Sequence, residues 1–222
     1  MKRIFLTMSM LALLSGCMTV LPLHKDSSYD ETRAKNIQLP SSCTSIKSDY
    51  GSLNGVNDLM RAKTHDGIDM VIPIGTEVIA AEKGKVIKAF FIQCGGKMIW
   101  IEHPRNKAGN TVITSYLHLS RMDVKEGDHV VQGEVIGLSG VTGSDKCTTN
   151  VPHLHFELKA GDTSVAPIEY WPDGWPKNMS RVSPHGFWAT SSQGEVAHLD
   201  GRTGKIDKAT DGLIFPLICG GG

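Results

Sequence analysis

His153-Leu154-His155-Phe156-Glu157-Leu158 alternates apolar and polar residues without a break. An extended strand places successive side chains on opposite faces, so Leu154, Phe156 and Leu158 share one face and His153, His155 and Glu157 the other. Outward from this segment the same texture recurs in Thr76 to Ala81, Val86 to Ile92, Met98 to Glu102, Thr111 to Leu117, His129 to Val131 and Val135 to Leu138. Gly84, Gly95-Gly96, Gly109-Asn110, Gly127-Asp128, Gly133 and Gly140 punctuate these runs. Short strands separated by glycine turns predict an all-β core of antiparallel sheets built from hairpins, with at most a short helical turn near Val56 to Ala62.

Composition agrees. The 24 glycines of the 222 residues exceed the usual share of ~7% and call for many turns. Lys plus Arg and Asp plus Glu are both 23, so the charge balance gives no footprint for nucleic-acid binding.

The N-terminus reads as an export signal. Lys2-Arg3 precedes an uncharged run, Ile4 to Leu14, and Leu14-Ser15-Gly16-Cys17 closes it. The run is shorter than the ~20 residues that cross a bilayer. Leu-Ser-Gly-Cys resembles a bacterial lipobox, which implies a signal peptide over 1–16, cleavage before Cys17 and acylation of that cysteine. Residues 17–42 are polar and aperiodic and read as a tether. The main domain is expected over 43–175, and 176–222 forms a C-terminal extension that reads either as a further hairpin or as an irregular tail. Cys43, Cys94, Cys147 and Cys219 remain, an even number that suggests two disulfides in an exported protein, with three possible pairings. No CxxC is present to suggest a zinc ribbon or a thioredoxin-like site.

The chemistry-bearing residues cluster in two motifs. In His65-Asp66-Gly67-Ile68-Asp69, read as extended, His65, Gly67 and Asp69 share one face, an imidazole and a carboxylate flanking a residue without a side chain. In the strand quoted first, His153 and His155 lie ~6–7 Å apart along the chain, too far for both to reach one zinc without distortion. One of them reads as a ligand and the other as a group acting on bound water or substrate. His118, at the end of Tyr116-Leu117-His118, is a third polar intrusion in an apolar strand.

With these motifs in order, the chain resembles the lysostaphin-type zinc metallopeptidases, the LytM domain, over residues 46 to 172. The likeness runs from Ile46-Lys47-Ser48-Asp49-Tyr50-Gly51 through His65 to Asp69, Gly75 to Ala81, Tyr116 to Ser120, Val124 to Gly143 and Pro152 to Glu157. The resemblance implies a zinc endopeptidase that cleaves peptide bonds of peptidoglycan cross-links or stem peptides. It implies His65, Asp69 and His155 as Zn2+ ligands and His118 and His153 as the catalytic histidines. Two imidazoles and one carboxylate leave a net positive zinc with an open fourth position, as a catalytic site needs. Where this chain departs from the family is Thr142 to His153, about four residues longer, with Asp145 to Asn150 inserted beside the cleft.

Two other classes compete. Some LytM-like domains lack the zinc residues and serve as regulators that activate other hydrolases, but here all five site residues are present. The turns at Val78 to Val86 and Val130 to Leu138 also resemble biotinyl or lipoyl carriers, which have no use for the two histidine motifs. In the resembling fold Cys94 and Cys147 rim the groove, and termini of compact domains lie close together, so Cys94–Cys147 and Cys43–Cys219 are the favoured pairs. Met18 after the acylated cysteine resembles lipoproteins sorted to the outer membrane. That places the chain in the cell envelope, on the outer membrane by its lipid anchor and facing the periplasm.

Overall fold

The computed structural model describes residues 37–105, 109–143, 150–161, 179–184, 195–207 and 212–220. Among them there are thirteen strands and no helix. The strands are β1 (Ile68–Val71), β2 (Glu77–Ile79), β3 (Gly84–Ile92), β4 (Gly96–His103), β5 (Thr111–Leu119), β6 (Arg121–Met122) and β7 (His129–Val130). They continue as β8 (Val135–Leu138), β9 (His153–Gly161), β10 (Met179–Val182), β11 (His198–Asp200), β12 (Lys205–Asp207) and β13 (Ile218–Cys219).

The large sheet runs β1-β9-β5-β4-β3-β7 and is antiparallel throughout. β9 is its axis. One edge of β9 pairs with β5, while β1 and β10 share the other: β1 covers His153 to Phe156 and β10 covers Leu158 to Gly161. A smaller sheet, β2-β8-β6, and a third, β12-β11-β13, complete the fold.

The alternation read from sequence sorts the side chains as expected. Leu154, Phe156 and Leu158 of β9, with Val112 and Tyr116 of β5 and Ile99 and Ile101 of β4, join Val78, Ala80 and Ile136 in the principal core. The opposite face is also covered: Met98, Trp100, Ile113 and Leu117 form a second cluster there. All nine residues of β9 are consequently buried, His153, His155 and Glu157 included.

Two expectations change, and the open reading of the C-terminal extension is decided. Residues 54–62 form no helical turn. Gly55 N–H donates to the Leu59 carbonyl, Asn54 bridges to Met60, and Asp58 takes a left-handed φ of 61°, which makes a tight β-like loop. The end of the expected tether docks, with Ile37, Leu39 and Cys43 packing on the principal core. The expected extension also supplies core: Leu213, Phe215, Leu217 and Cys219 belong to that same cluster. Its strands β11 and β12 pair as the further hairpin that the sequence offered, and β13 joins β11 in parallel.

A disulfide joins Cys43 to Cys219, the pairing favoured from the sequence, and ties the two ends of the folded region. Cys94 is also disulfide-bonded, and its expected partner, Cys147, lies outside the described residues. The signal segment, Cys17 and most of the tether lie outside them as well.

Phe215 is fully buried, so Phe215→Ala should cost about 3–5 kcal/mol, the range for truncating a core aromatic. Denaturant unfolding measures it; a loss below about 1 kcal/mol would show the C-terminal segment to be dispensable to the core.

Candidate metal centre

Register builds the site. β1 pairs with β9 so that Asp69 lies opposite His155 and Val71 opposite His153. His65 does not share this strand, which begins at Ile68. It sits in the bend before it, held by its own N–H on the Ser52 carbonyl and by its carbonyl on Gly51 N–H. The space beside Gly67 is filled rather than open: a Cβ there would run into the Phe156 carbonyl and approach His155 Nε2 to 3.0 Å. Only glycine lets the chain that carries His65 lie this close to β9.

His65 Nε2, Asp69 Oδ1 and His155 Nδ1 converge. The separations are 3.2 Å for His65 to Asp69, 3.0 Å for His65 to His155 and 2.7 Å for His155 to Asp69. All three side chains are buried. A tetrahedral zinc with bonds of ~2.0–2.1 Å holds its ligand atoms ~3.3 Å apart, close to this spacing.

The far nitrogens fix which atoms point inward. His65 Nδ1–H donates to the Asp49 carbonyl at 3.0 Å, leaving Nε2 with its lone pair. His155 Nε2–H donates to Glu157 Oε1 at 3.2 Å, leaving Nδ1 with its own. Two lone pairs and a carboxylate oxygen therefore face one point, and a cation must sit among them. Without metal that cation is a proton. Burial pulls the His155 pKa down, but contact with Asp69 and Glu157 outweighs it and raises it to about 10. Burial would likewise raise Asp69, yet His155 and His65 hold its carboxyl well below the usual range. Burial pulls Glu157 up as well, but His155, Arg181 and Lys159 bring it down to about 2. The donor set fits zinc.

His118 and His153 stand beside this trio, their ring centroids 4.7 Å apart. His118 Nδ1–H donates to the Thr142 carbonyl at 2.9 Å and His153 Nδ1–H to the Val151 carbonyl at 2.7 Å, so each keeps a free lone pair on Nε2. His153 Nε2 lies 3.9 Å from Asp69 Oδ1. Burial, and then the neighbouring His153 and His155, lower the His118 pKa to about 4; burial also lowers that of His153. Both are neutral bases at pH 7. His118 has a φ of 62°, the left-handed region that a non-glycine residue enters only under constraint. It lies where the β4–β5 register shifts, a bulge that turns the ring out of the ladder, and its N–H is held by the Gly95 carbonyl.

Sequence reading missed Arg61. Its Nη2 donates to Asp69 Oδ2, the oxygen turned away from the imidazoles. Arg61 lies on a loop that lines a groove of about 750 Å³ together with His118, His153 and His155, and Leu59 and Met60 of the same loop are exposed. The orienting part of Glu157 was also missed, although its place on the histidine face was legible. A second group, Cys43, His198 and Cys219, brings possible ligand atoms together, but its cysteines are bonded to each other.

Residues 63–167 match the model of peptidase family M23. The chain carries an M23 peptidase domain. It is 44% identical over 96 residues to peptidoglycan DD-endopeptidase ShyC of Vibrio cholerae, covering 43% of this chain and 20% of that protein. It is 42% identical over 98 residues to ShyA of the same organism, covering 44% and 21%. With lysostaphin of Staphylococcus simulans it shares 32% over 144 residues, covering 60% and 27%. The chain thus spans about a fifth of the length of the two Vibrio relatives. All five site residues fall inside the M23 match, while Ser48, Asp49 and Arg61, which brace them, precede it.

Because His155 holds a proton up to about pH 10 without metal, zinc uptake by the M23 domain at pH 7–8 should release about one proton. Affinity should then rise about tenfold per pH unit over that range. Calorimetry in buffers of different ionisation enthalpy reads the proton count, and a count of zero would contradict the extra proton assigned to His155.

Proposed function

We propose that this protein is a zinc-dependent endopeptidase that hydrolyses peptide bonds in peptidoglycan cross-links or stem peptides. The observation that carries it is the meeting of three converging metal-type donors with two neutral histidines in one groove. The substrate class is supported by the Vibrio relatives, which are peptidoglycan DD-endopeptidases.

His65, Asp69 and His155 would hold the metal. When bound, zinc supplies a Lewis acid for the scissile carbonyl and acidifies a water beside it. The protein's own groups handle the protons. A water oxygen adds to the carbonyl carbon as the C–N bond breaks; one water proton passes to an Nε2 of the histidine pair and from there to the leaving amine. Both Nε2 atoms are unprotonated at pH 7 and line the groove, and the imidazole that has taken the water proton can donate to the developing oxyanion before it passes that proton to the leaving amine. Burial of the pair keeps bulk water from competing for these contacts. The groove, about 750 Å³, has room for several peptide residues.

Asp69→Ala should lose both stoichiometric zinc and hydrolysis, whereas His118→Ala and His153→Ala should keep zinc and lose at least ~10²-fold in rate. Metal analysis beside digestion of purified sacculi, with fragments identified by mass, measures both. Zinc retained in Asp69→Ala, or full activity in both histidine variants, would overturn the reading.

We place the chain on the outer membrane by acylation of Cys17, reading the anchor from the lipobox-like Leu14 to Cys17 and the choice of membrane from Met18. Cys17→Ser should abolish labelling by a palmitate analogue and release the protein from the membrane fraction. Equal membrane recovery of that variant would rule the anchor out.

A further inference from the structure

The M23 match ends at residue 167, yet a strand beyond it reaches the metal centre. We propose that Arg181, on β10, is a positioning residue for that centre, acting on His155 through Glu157. The proposal rests on the reading of His65, Asp69 and His155 as metal ligands.

Glu157 divides its two oxygens between two tasks. Oε1 accepts from His155 Nε2 at 3.2 Å, the contact that fixes the tautomer of the ligand. Among the described residues Oε2 faces two cations, Arg181 Nε at 3.6 Å and Lys159 Nζ at 3.9 Å. Glu157 is 7% exposed, and a carboxylate so buried stays charged only beside compensating cations. Lys159 is the more distant of the two, with its ammonium 5.6 Å from the centre of the Trp100 ring. Arg181 is therefore the closer counter-charge.

Its position is built, not incidental. β10 pairs with β9 in a register that sets Arg181 opposite Lys159, next to the gap between β1 and β10 where Glu157 lies. The Tyr50 hydroxyl donates to the Arg181 carbonyl at 3.0 Å, joining β10 to the segment whose Asp49 carbonyl orients His65. Arg181 Nε also lies 3.5 Å from Asp66 Oδ2, the neighbour of His65. One guanidinium thus spans the carboxylates that follow His65 and orient His155. An exposed pair with Asp66 alone would contribute little, since such pairs are worth ~0–1 kcal/mol; the consequence lies in the buried Glu157. If Glu157 shifts, His155 can place its proton on Nδ1 and the centre loses a lone pair.

A double-mutant cycle tests this. Arg181→Met, Glu157→Gln and the double variant of the full chain are compared by zinc dissociation constant in chelator competition, and by kcat and KM on a cross-linked muropeptide. Disturbing a group that orients a metal-bound histidine costs about 10–100-fold in affinity or activity, so Glu157→Gln should fall in that range and Arg181→Met near its lower end. The double variant should be no worse than Glu157→Gln, because both changes act on one contact. Arg181→Lys should recover most of the loss, and Arg181→Gln carries the cycle should Arg181→Met not fold. Zinc affinity and kcat unchanged in Arg181→Met, full additivity in the double variant, or a change confined to KM would each overturn the inference, the last by marking a substrate contact. A wild-type protein that bound no zinc would instead sink the reading of the centre itself.

Discussion

Three electron-pair donors aimed at one buried point are the constraint on which the rest of this structure depends. Nε2 of His65, Oδ1 of Asp69 and Nδ1 of His155 lie 2.7–3.2 Å apart on buried side chains. Such a cluster is unfavourable without a positive charge at its centre. The fold holds the donors there because Asp69 and His155 are cross-strand partners in β1 and β9, and a slip of one residue would turn every one of these side chains to the other face. The apolar side chains of the same two strands prevent that slip, since Ile68, Met70, Leu154 and Phe156 fill the principal core.

The strands, and the division of β9 into an apolar and a histidine face, follow from period-two alternation and are legible without coordinates. The five histidine and aspartate positions were legible as an ordered pattern resembling a known family, since spacing alone left His153 and His155 interchangeable as ligand. What separates them is contact. His155 meets Asp69 and Glu157, whereas His153 turns Nδ1 to the Val151 carbonyl and stands 3.9 Å from Asp69. Neither contact has a sequence signature. The same holds for Arg61 and Arg181, whose partners lie 8 and 24 residues away along the chain and meet them only through tertiary folding. The place of residues 213–219 in the core has no sequence signature, because their strand joins β11 in parallel and parallel pairs carry no turn signal.

His118 shows how local strain is compensated. Its left-handed backbone costs energy that no side-chain preference repays. Contacts on three sides hold it: Gly95 takes its N–H, Thr142 takes its ring N–H, and its carbonyl accepts from Thr142 N–H. Gly140 allows the close passage of that strand end, since a Cβ at this position would press on the His118 carbonyl and on Ser120 N. The outcome is a base whose Nε2 is presented to the groove with little freedom to turn away.

Arg61 bears on the charge of the centre. A carboxylate with both oxygens free can chelate a metal and donate more negative charge to it. Here Oδ2 of Asp69 is engaged by the guanidinium and only Oδ1 is turned to the imidazoles. The ligand set then brings one negative charge, and the arginine beside it offsets much of that charge locally. A divalent ion held this way keeps most of its own positive field, the condition for polarising a carbonyl rather than merely stapling a fold. Structural zinc sites built from several thiolates are neutralised by their ligands; a zinc ion held by two neutral rings and a half-compensated carboxylate would not be.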